Sequence, residues 1–163
     1  MTRGSERILV SSDGWASALK AAKRDPRHET GGILLGCRQP DGLYVAQVIE
    51  VPDNQAHHAS YRRRHREAQT ALGHVIEGLP VDTPLGYVGE WHTHPAPVGP
   101  SCTDRRELKR FSRRAGGQIG MIVLAHDPRT GHWTPYGLCA LDGRLTQAQV
   151  QIEEVSDGES DDP

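Results

Sequence analysis

The sequence lacks any apolar stretch long enough to cross a membrane. Its longest apolar runs, Ile33–Leu35 and Met121–Ala125, fall far short of the roughly 20 residues that a membrane-spanning helix needs. The basic residues near the N-terminus are not followed by the apolar core of a secretory signal peptide. These absences predict a soluble, cytoplasmic protein that does not act at a membrane.

Cysteine is also scarce. Cys37, Cys102 and Cys139 are odd in number and widely spaced, which argues against a disulfide scaffold. They also lack the close pairing that is typical of a structural zinc site. Cys102 is open to two interpretations, a redox-sensitive thiol or a packed cysteine, and we expect the packed one.

The chain carries little net charge. A net charge of −2 does not favour nucleic acid or an anionic membrane as a partner. The basic run Arg62–Arg66 can contact nucleic acid or an acidic protein surface, but no aromatic platform accompanies it. We therefore interpret it as a solvated helix face and predict no nucleic-acid partner. His57 and His58 have no acidic companion at a useful spacing, and we expect them at the surface.

The length of 163 residues fits one domain, which we place at residues 1–155, followed by an acidic, disordered tail at 156–163. Helical and strand patterns are intermixed without a regular β–α–β cadence, so we expect an α/β sandwich on a mixed sheet. The predicted helices are Trp15–Arg24, Tyr61–Leu79 and Ser101–Ala115. The predicted strands are Ile33–Gly36, Leu43–Val51, Leu85–Trp91, Gln118–Ala125 and His132–Leu141, and Gly143–Val155 fits either a strand or a helix.

Two histidines and one aspartate form a pattern that is typical of a metal site. His92 and His94 are two residues apart at the end of a predicted strand, so their side chains share one face. Asp104 follows a loop, in the first turn of a predicted helix, from which its carboxylate can point back; Glu107 is a more distant substitute. Two imidazoles and one carboxylate suit Zn²⁺ and leave a fourth position open for water, as in catalytic zinc sites.

Glu29 is the candidate for proton transfer. A zinc centre that activates water needs a base that takes the proton and delivers it to the leaving amine. Glu29 stands just before Gly31 and Gly32 and an apolar strand, where glycine lets the backbone approach another strand or a ligand closely. The alternative is that Glu29 only pairs with a nearby arginine. We expect the catalytic role.

These separated residues resemble a known motif. Glu29, the segment His92–Pro95 and the segment Ser101–Asp104 resemble the JAMM motif of the MPN/JAB metallopeptidases, and residues 29–36 and 89–91 look like prokaryotic JAB proteins of the Mov34/MPN/PAD type. The resemblance covers about Glu29 to Ala125. It implies an MPN/JAB-like (cytidine-deaminase-like) α/β sandwich with a mixed central sheet flanked by helices. It also implies one Zn²⁺ per chain bound by His92, His94 and Asp104, with Glu29 as the acid/base and Ser101 helping to stabilise the oxyanion.

The loop before Ser101 departs from the family pattern. Six residues separate His94 from Ser101, whereas the common pattern has seven. The missing residue falls in a loop of proline and glycine that can absorb it. Ser101 and Asp104 also fit a helix-capping signature, which is compatible with a metal-binding Asp104.

The implied function is the hydrolysis of peptide or isopeptide bonds after the C-terminus of a ubiquitin-like protein. This would be deconjugation or precursor processing in a prokaryotic pathway whose E1- and E2-like proteins are encoded elsewhere. One alternative is a zinc peptidase or amidase that trims a sulfur-carrier protein or a small metabolite. The other is a non-catalytic MPN scaffold for protein interactions. Such scaffolds usually lose metal ligands, whereas every motif position is filled here.

Overall fold

The computed structural model describes residues 6–51, 77 and 85–155. The predicted helix Tyr61–Leu79, the basic run Arg62–Arg66, the pair His57 and His58 and the acidic tail 156–163 lie outside the described residues. A single domain over residues 1–155 stays a prediction. Neither of the two helices within the described ranges is long and apolar enough to span a membrane.

The described residues form seven strands and two helices. The strands are β1 (Glu6–Val10), β2 (Gly31–Gln39), β3 (Gly42–Glu50), β4 (Gly86–His94), β5 (Ile119–His126), β6 (Trp133–Leu141) and β7 (Arg144–Ile152). The helices are α1 (Ser12–Arg24) and α2 (Cys102–Ser112). Each predicted element in these ranges is present with slightly different ends, the ambiguous last segment is a strand, and β1 was not predicted.

The strands form one mixed sheet in the order β1-β3-β2-β4-β5-β6-β7, and β1 closes it into a barrel by pairing with β7. β1 runs parallel to both β3 and β7, and β4 runs parallel to β5, whereas the other neighbours are antiparallel. The expected α/β class and mixed sheet are therefore confirmed. The sandwich is not, because the short strand β1 joins the two edges of the sheet.

Two apolar clusters fix the helices against the strands. Ala18, Ala21 and Ala22 of α1 are buried in a cluster with residues of most strands, including Trp91 of β4. Leu108 of α2 is buried in a second cluster with residues of β5 and β6. Because burial of apolar surface is the main stabilising term, these contacts hold the start of α2 at a defined place beside the sheet.

Strand β4 carries the predicted metal ligands and is held from both sides. It pairs with β2 in antiparallel and with β5 in parallel orientation. Gly89 adopts a positive φ of 151°, and a side chain there would collide with the carbonyl oxygen of Gly120. Glycine at this position therefore allows β4 to pass close to β5 on its way to the two histidines.

Candidate metal centre

The end of β4 brings the two histidines together. His92 and His94 project from the same face of the strand, and their Nε2 atoms lie 3.2 Å apart. The rings are tilted by 57° to one another, with centroids 5.0 Å apart. Both side chains are largely shielded from solvent, at 13% and 11% exposure. The alternation of side chains along a strand thus presents two imidazole nitrogens to one point.

The first turn of α2 places Asp104 at the same point. Ser101 is the N-cap of the helix: its hydroxyl oxygen accepts the Asp104 N–H at 3.1 Å, and the Asp104 Oδ2 accepts the Ser101 N–H at 2.7 Å. This capping box fixes the carboxylate. Its Oδ1 lies 3.2 Å from the His92 Nε2, and its Oδ2 lies 3.4 Å from the His94 Nε2.

The three side chains are electrostatically coupled. Burial would raise the pKa of Asp104, but hydrogen bonds from His92 and His94 hold it well below its usual range. The hydrogen bond to Asp104 raises the pKa of His94, and burial only partly opposes this. The negative charge of Glu29 also raises the pKa of His94, which places that carboxylate within electrostatic range of the site. The cluster thus favours a positive charge among these groups.

The residues fit a metal ion. Among the described residues, His92, His94 and Asp104 form a group in which one ligand atom from each lies within 4.8 Å of the others. Tetrahedral coordination at zinc distances places neighbouring ligand atoms about 3.3 Å apart, close to the observed 3.2–3.4 Å. The Nδ1 of His94 lies 3.0 Å from the Val98 carbonyl oxygen. With the proton on Nδ1, that contact leaves the lone pair of Nε2 for a metal, as in many metal-binding histidines.

Glu29 lies beside this cluster, on the segment that leads into β2. Gly31 pairs with His92, and the Thr93 N–H donates to the Thr30 carbonyl at 2.8 Å. The ladder ends there, so Glu29 is two residues before the first paired residue of β2, close enough for its charge to act on His94. The Glu29 side chain is exposed, so it is accessible to water and to a substrate.

A set of hydrogen bonds holds the residue next to Glu29. The Thr30 N–H, which belongs to the peptide bond between Glu29 and Thr30, donates to the buried Thr93 hydroxyl at 2.9 Å. The Thr30 hydroxyl donates to Glu50 at 2.9 Å, and Glu50 also accepts from Arg24. Thr93 and Glu50 were not predicted from the sequence, since neither residue type marks such a role. The only available signal was the position of Thr93 between the two histidines.

The remaining predictions near the site had different outcomes. Ser101 begins the helix as expected, and its exposed side chain lies next to Asp104. Glu107 does not belong to the ligand group found among the described residues. The expectation of a packed Cys102 is wrong, because its side chain is exposed. Cys102 is the first residue of α2, whereas the helix buries the face that carries Leu108 and Ser112.

Comparisons with known proteins find similar sequences and a similar fold. A curated protein of Enterobacter hormaechei subsp. hoffmannii (strain UCI 50), named a CD-NTase/cGAS isopeptidase, is 28% identical over 152 residues, covering 91% of this chain and 81% of that protein. The solution structure of a protein from Desulfitobacterium hafniense is similar in fold, with a TM-score of 0.63 and 19% identity, covering 90% of this chain and 93% of that one.

The family assignment rests on a match that includes the whole candidate site. The family described as prokaryotic homologs of the JAB domain matches residues 11–136, which is most of the chain. That range contains Glu29, both histidines, Ser101 and Asp104, so the motif resemblance and the match coincide. The chain therefore belongs to the prokaryotic JAB-domain family.

Proposed function

We propose that this protein is a zinc-dependent hydrolase of the JAMM type that cleaves peptide or isopeptide bonds after the C-terminus of a ubiquitin-like protein. The observation that carries the proposal is the convergence of the His92, His94 and Asp104 ligand atoms at 3.2–3.4 Å. The negative charge of Glu29 acts on His94, which supports a place for this residue beside the same site.

The metal-binding part of the proposal assigns one Zn²⁺ per chain to His92, His94 and Asp104. A bound zinc ion would polarise the scissile carbonyl and lower the pKa of a water molecule to about 7. The protein contributes the orientation of the ligands. The capping box holds the carboxylate of Asp104, and the Val98 carbonyl holds the ring of His94.

Glu29 is the acid/base in this scheme. Its carboxylate takes a proton from the attacking water, whose oxygen forms a bond to the carbonyl carbon. The same proton is then delivered to the amine nitrogen as the C–N bond breaks, which leaves a free amine and a carboxylic acid that loses its remaining proton to solvent. The position of the side chain depends on the hydrogen bonds of Thr30 to Thr93 and Glu50.

Ser101 stabilises the negative charge that develops on the carbonyl oxygen. Its oxygen accepts the Asp104 N–H, so the hydroxyl keeps its own hydrogen for donation. The Ser101 side chain is exposed and stands three residues before Asp104, so its hydroxyl can reach a substrate at the metal site.

The isopeptide bond is supported by the name of the Enterobacter relative, and the ubiquitin-like substrate by the resemblance to the JAMM motif. An isopeptidase breaks an amide bond between a carboxyl terminus and a side-chain amine, and the chemistry described above achieves this. We place the reaction in the cytoplasm, with E1- and E2-like proteins of the same pathway as further partners. A non-catalytic scaffold is disfavoured, because such scaffolds usually lose metal ligands, whereas His92, His94 and Asp104 are present and lie together.

A cleavage assay on a ubiquitin-like fusion protein tests this function. Glu29→Gln should lower kcat by roughly 10² to 10⁴, about 3 to 5 kcal/mol in the barrier, because the basic oxygen is lost. Zinc content and melting temperature should stay near wild type. The matched control is Glu154→Gln, an exposed glutamate after β7, which should leave kcat unchanged. A Glu29→Gln protein that cleaves at the wild-type rate would refute the mechanism.

A further inference from the structure

A groove lies beside the candidate metal centre, on the outside of the barrel between the start of α2 and strands β6 and β7. Its volume is about 320 Å³, and it is open to solvent. The lining includes Pro100, Arg105, Tyr136, Leu138, Gln147 and Gln149. None of these residues has a role in the proposed proton transfer or in metal binding.

The groove and the candidate metal centre both use residues at the start of α2. Asp104 and Arg105 are consecutive, so their Cα atoms are about 3.8 Å apart. Successive helical residues point in directions about 100° apart. Helix α2 therefore directs Asp104 to the metal ligands and Arg105 into the groove. The two sites are therefore neighbours at the start of α2.

The groove has a defined shape on the side of the loop that precedes α2. A β-carbon at Gly99 would lie 3.1 Å from the Tyr136 ring, so the loop packs directly on that ring. Gln149 is oriented as well, because its side-chain oxygen accepts from Gln151 at 3.2 Å. The amide N–H groups of Gln149 consequently remain available as donors to a bound peptide.

The charge of the groove is positive. Arg105 is the charged residue in the lining, and its guanidinium can bind a carboxylate through two parallel hydrogen bonds. The helix that carries it and the two residues after it are basic, with six basic residues against Asp104 and Glu107 over residues 102–114. The basic residues are Arg105, Arg106, Lys109, Arg110, Arg113 and Arg114. A field of this sign attracts an acidic partner.

We infer that this groove binds an acidic segment of the substrate protein and that Arg105 determines specificity by pairing with an aspartate or glutamate side chain. The inference rests on the proposed function, since it names a feature of the substrate of the same site. Glutamine amides contact the peptide backbone, the Tyr136 ring and Pro100 contact its apolar atoms, and Arg105 contacts its carboxylate. Arg105 does not touch the reacting atoms.

The direct test is a binding measurement that requires no catalysis. Fluorescence anisotropy with the full chain compares a labelled peptide rich in aspartate and glutamate with its asparagine and glutamine counterpart. The acidic peptide should bind at least about tenfold more tightly, as expected for one hydrogen-bonded charge pair. Arg105→Gln should remove this preference, whereas Lys20→Gln, an exposed cation on α1, should keep it. Equal binding of both peptides, or an Arg105→Gln protein with the wild-type preference, would overturn the inference.

Reversing the charge at Arg105 should create a new peptide preference, which a misfolded protein would not show. Arg105→Glu should prefer a lysine-containing peptide over the acidic one, and added salt should weaken both preferences. In a cleavage assay, Arg105→Gln should raise KM for a fusion with an acidic segment and leave kcat within about twofold. If wild type cleaves no fusion yet binds the acidic peptide, the proposed function fails and the groove assignment remains.

The acidic C-terminal tail is the competing occupant. Its neutralisation by Asp157→Asn, Glu159→Gln, Asp161→Asn and Asp162→Asn should change the affinity for the acidic peptide less than about threefold. Peptide affinity that rises about tenfold or more in this variant would assign the groove to the tail and overturn a substrate-binding role.

Discussion

Replacing Thr93 by valine tests whether the hydrogen bonds beside Glu29 position the base. Valine keeps the branched shape of the buried side chain but removes the hydroxyl that accepts the Thr30 N–H at 2.9 Å. A partly buried donor then loses its partner, which costs about 1 to 3 kcal/mol in the free energy of unfolding. That donor belongs to the peptide bond between Glu29 and Thr30, so its release changes the direction of the Glu29 side chain.

The expected effect on catalysis follows from this geometry. A displacement of about 1 Å at a catalytic group can lower the rate by about 10²-fold, so we expect kcat of Thr93→Val to fall by about 10- to 100-fold. Zinc content should stay at one per chain, since His92 and His94 point to the other face of β4.

Urea denaturation, elemental analysis and the cleavage assay on one preparation separate these effects. Thr134→Val is the matched control, because Thr134 is exposed on β6 and its replacement should change neither stability nor rate. A Thr93→Val protein that loses stability but cleaves at the wild-type rate would refute the positioning role.

Three further substitutions or modifications test separate parts of the site. Ser101→Ala should cost about 1 kcal/mol of stability through the lost cap and lower kcat by about 10² to 10³, with zinc unchanged; a normal kcat would remove Ser101 from the mechanism. Gly31→Ala should weaken zinc binding, because its β-carbon would collide with the Trp91 carbonyl oxygen and lie 2.9 Å from the Cβ of His92, which displaces β4 at that histidine; a wild-type zinc affinity would contradict these contacts. Iodoacetamide at about pH 8 should label the exposed Cys102 before Cys139, because burial raises the pKa of the Cys139 thiol to about 12. The labelled protein should still cleave its substrate. Mass spectrometry that finds Cys139 labelled first would contradict the burial.

Local sequence patterns predicted the elements that present the metal ligands. The spacing of His92 and His94 on a strand and the capping signature of Ser101 and Asp104 depend on neighbouring residues, and both are present. Only the family resemblance indicated that Asp104 meets the two histidines, because the loop between β4 and α2 sets the distance between these side chains. The zinc and catalytic roles themselves stay predictions.

Other features depend on contacts between distant parts of the chain. β1 has only five residues, Glu6–Val10, which is too short for a clear periodicity, and its parallel pairing with β7 closes the sheet. In β7, Ala148 and Val150 pack against the core and alternate with glutamines, and pairing with β1 and β6 makes this ambiguous segment a strand. The Val98 carbonyl that orients His94 is a backbone group and has no signature in the sequence. The exposure of Cys102 follows from which face of α2 packs on the sheet.

The most direct measurement of the central claim is anomalous X-ray diffraction at the zinc edge from crystals of the zinc-loaded protein. One peak per chain should lie about 2.0 to 2.2 Å from the Nε2 atoms of His92 and His94 and from a carboxylate oxygen of Asp104. Crystals of the His94→Ala variant, prepared with zinc in the same way, should show no peak at that position. A zinc peak elsewhere in the protein, with no metal between His92, His94 and Asp104, would contradict the account.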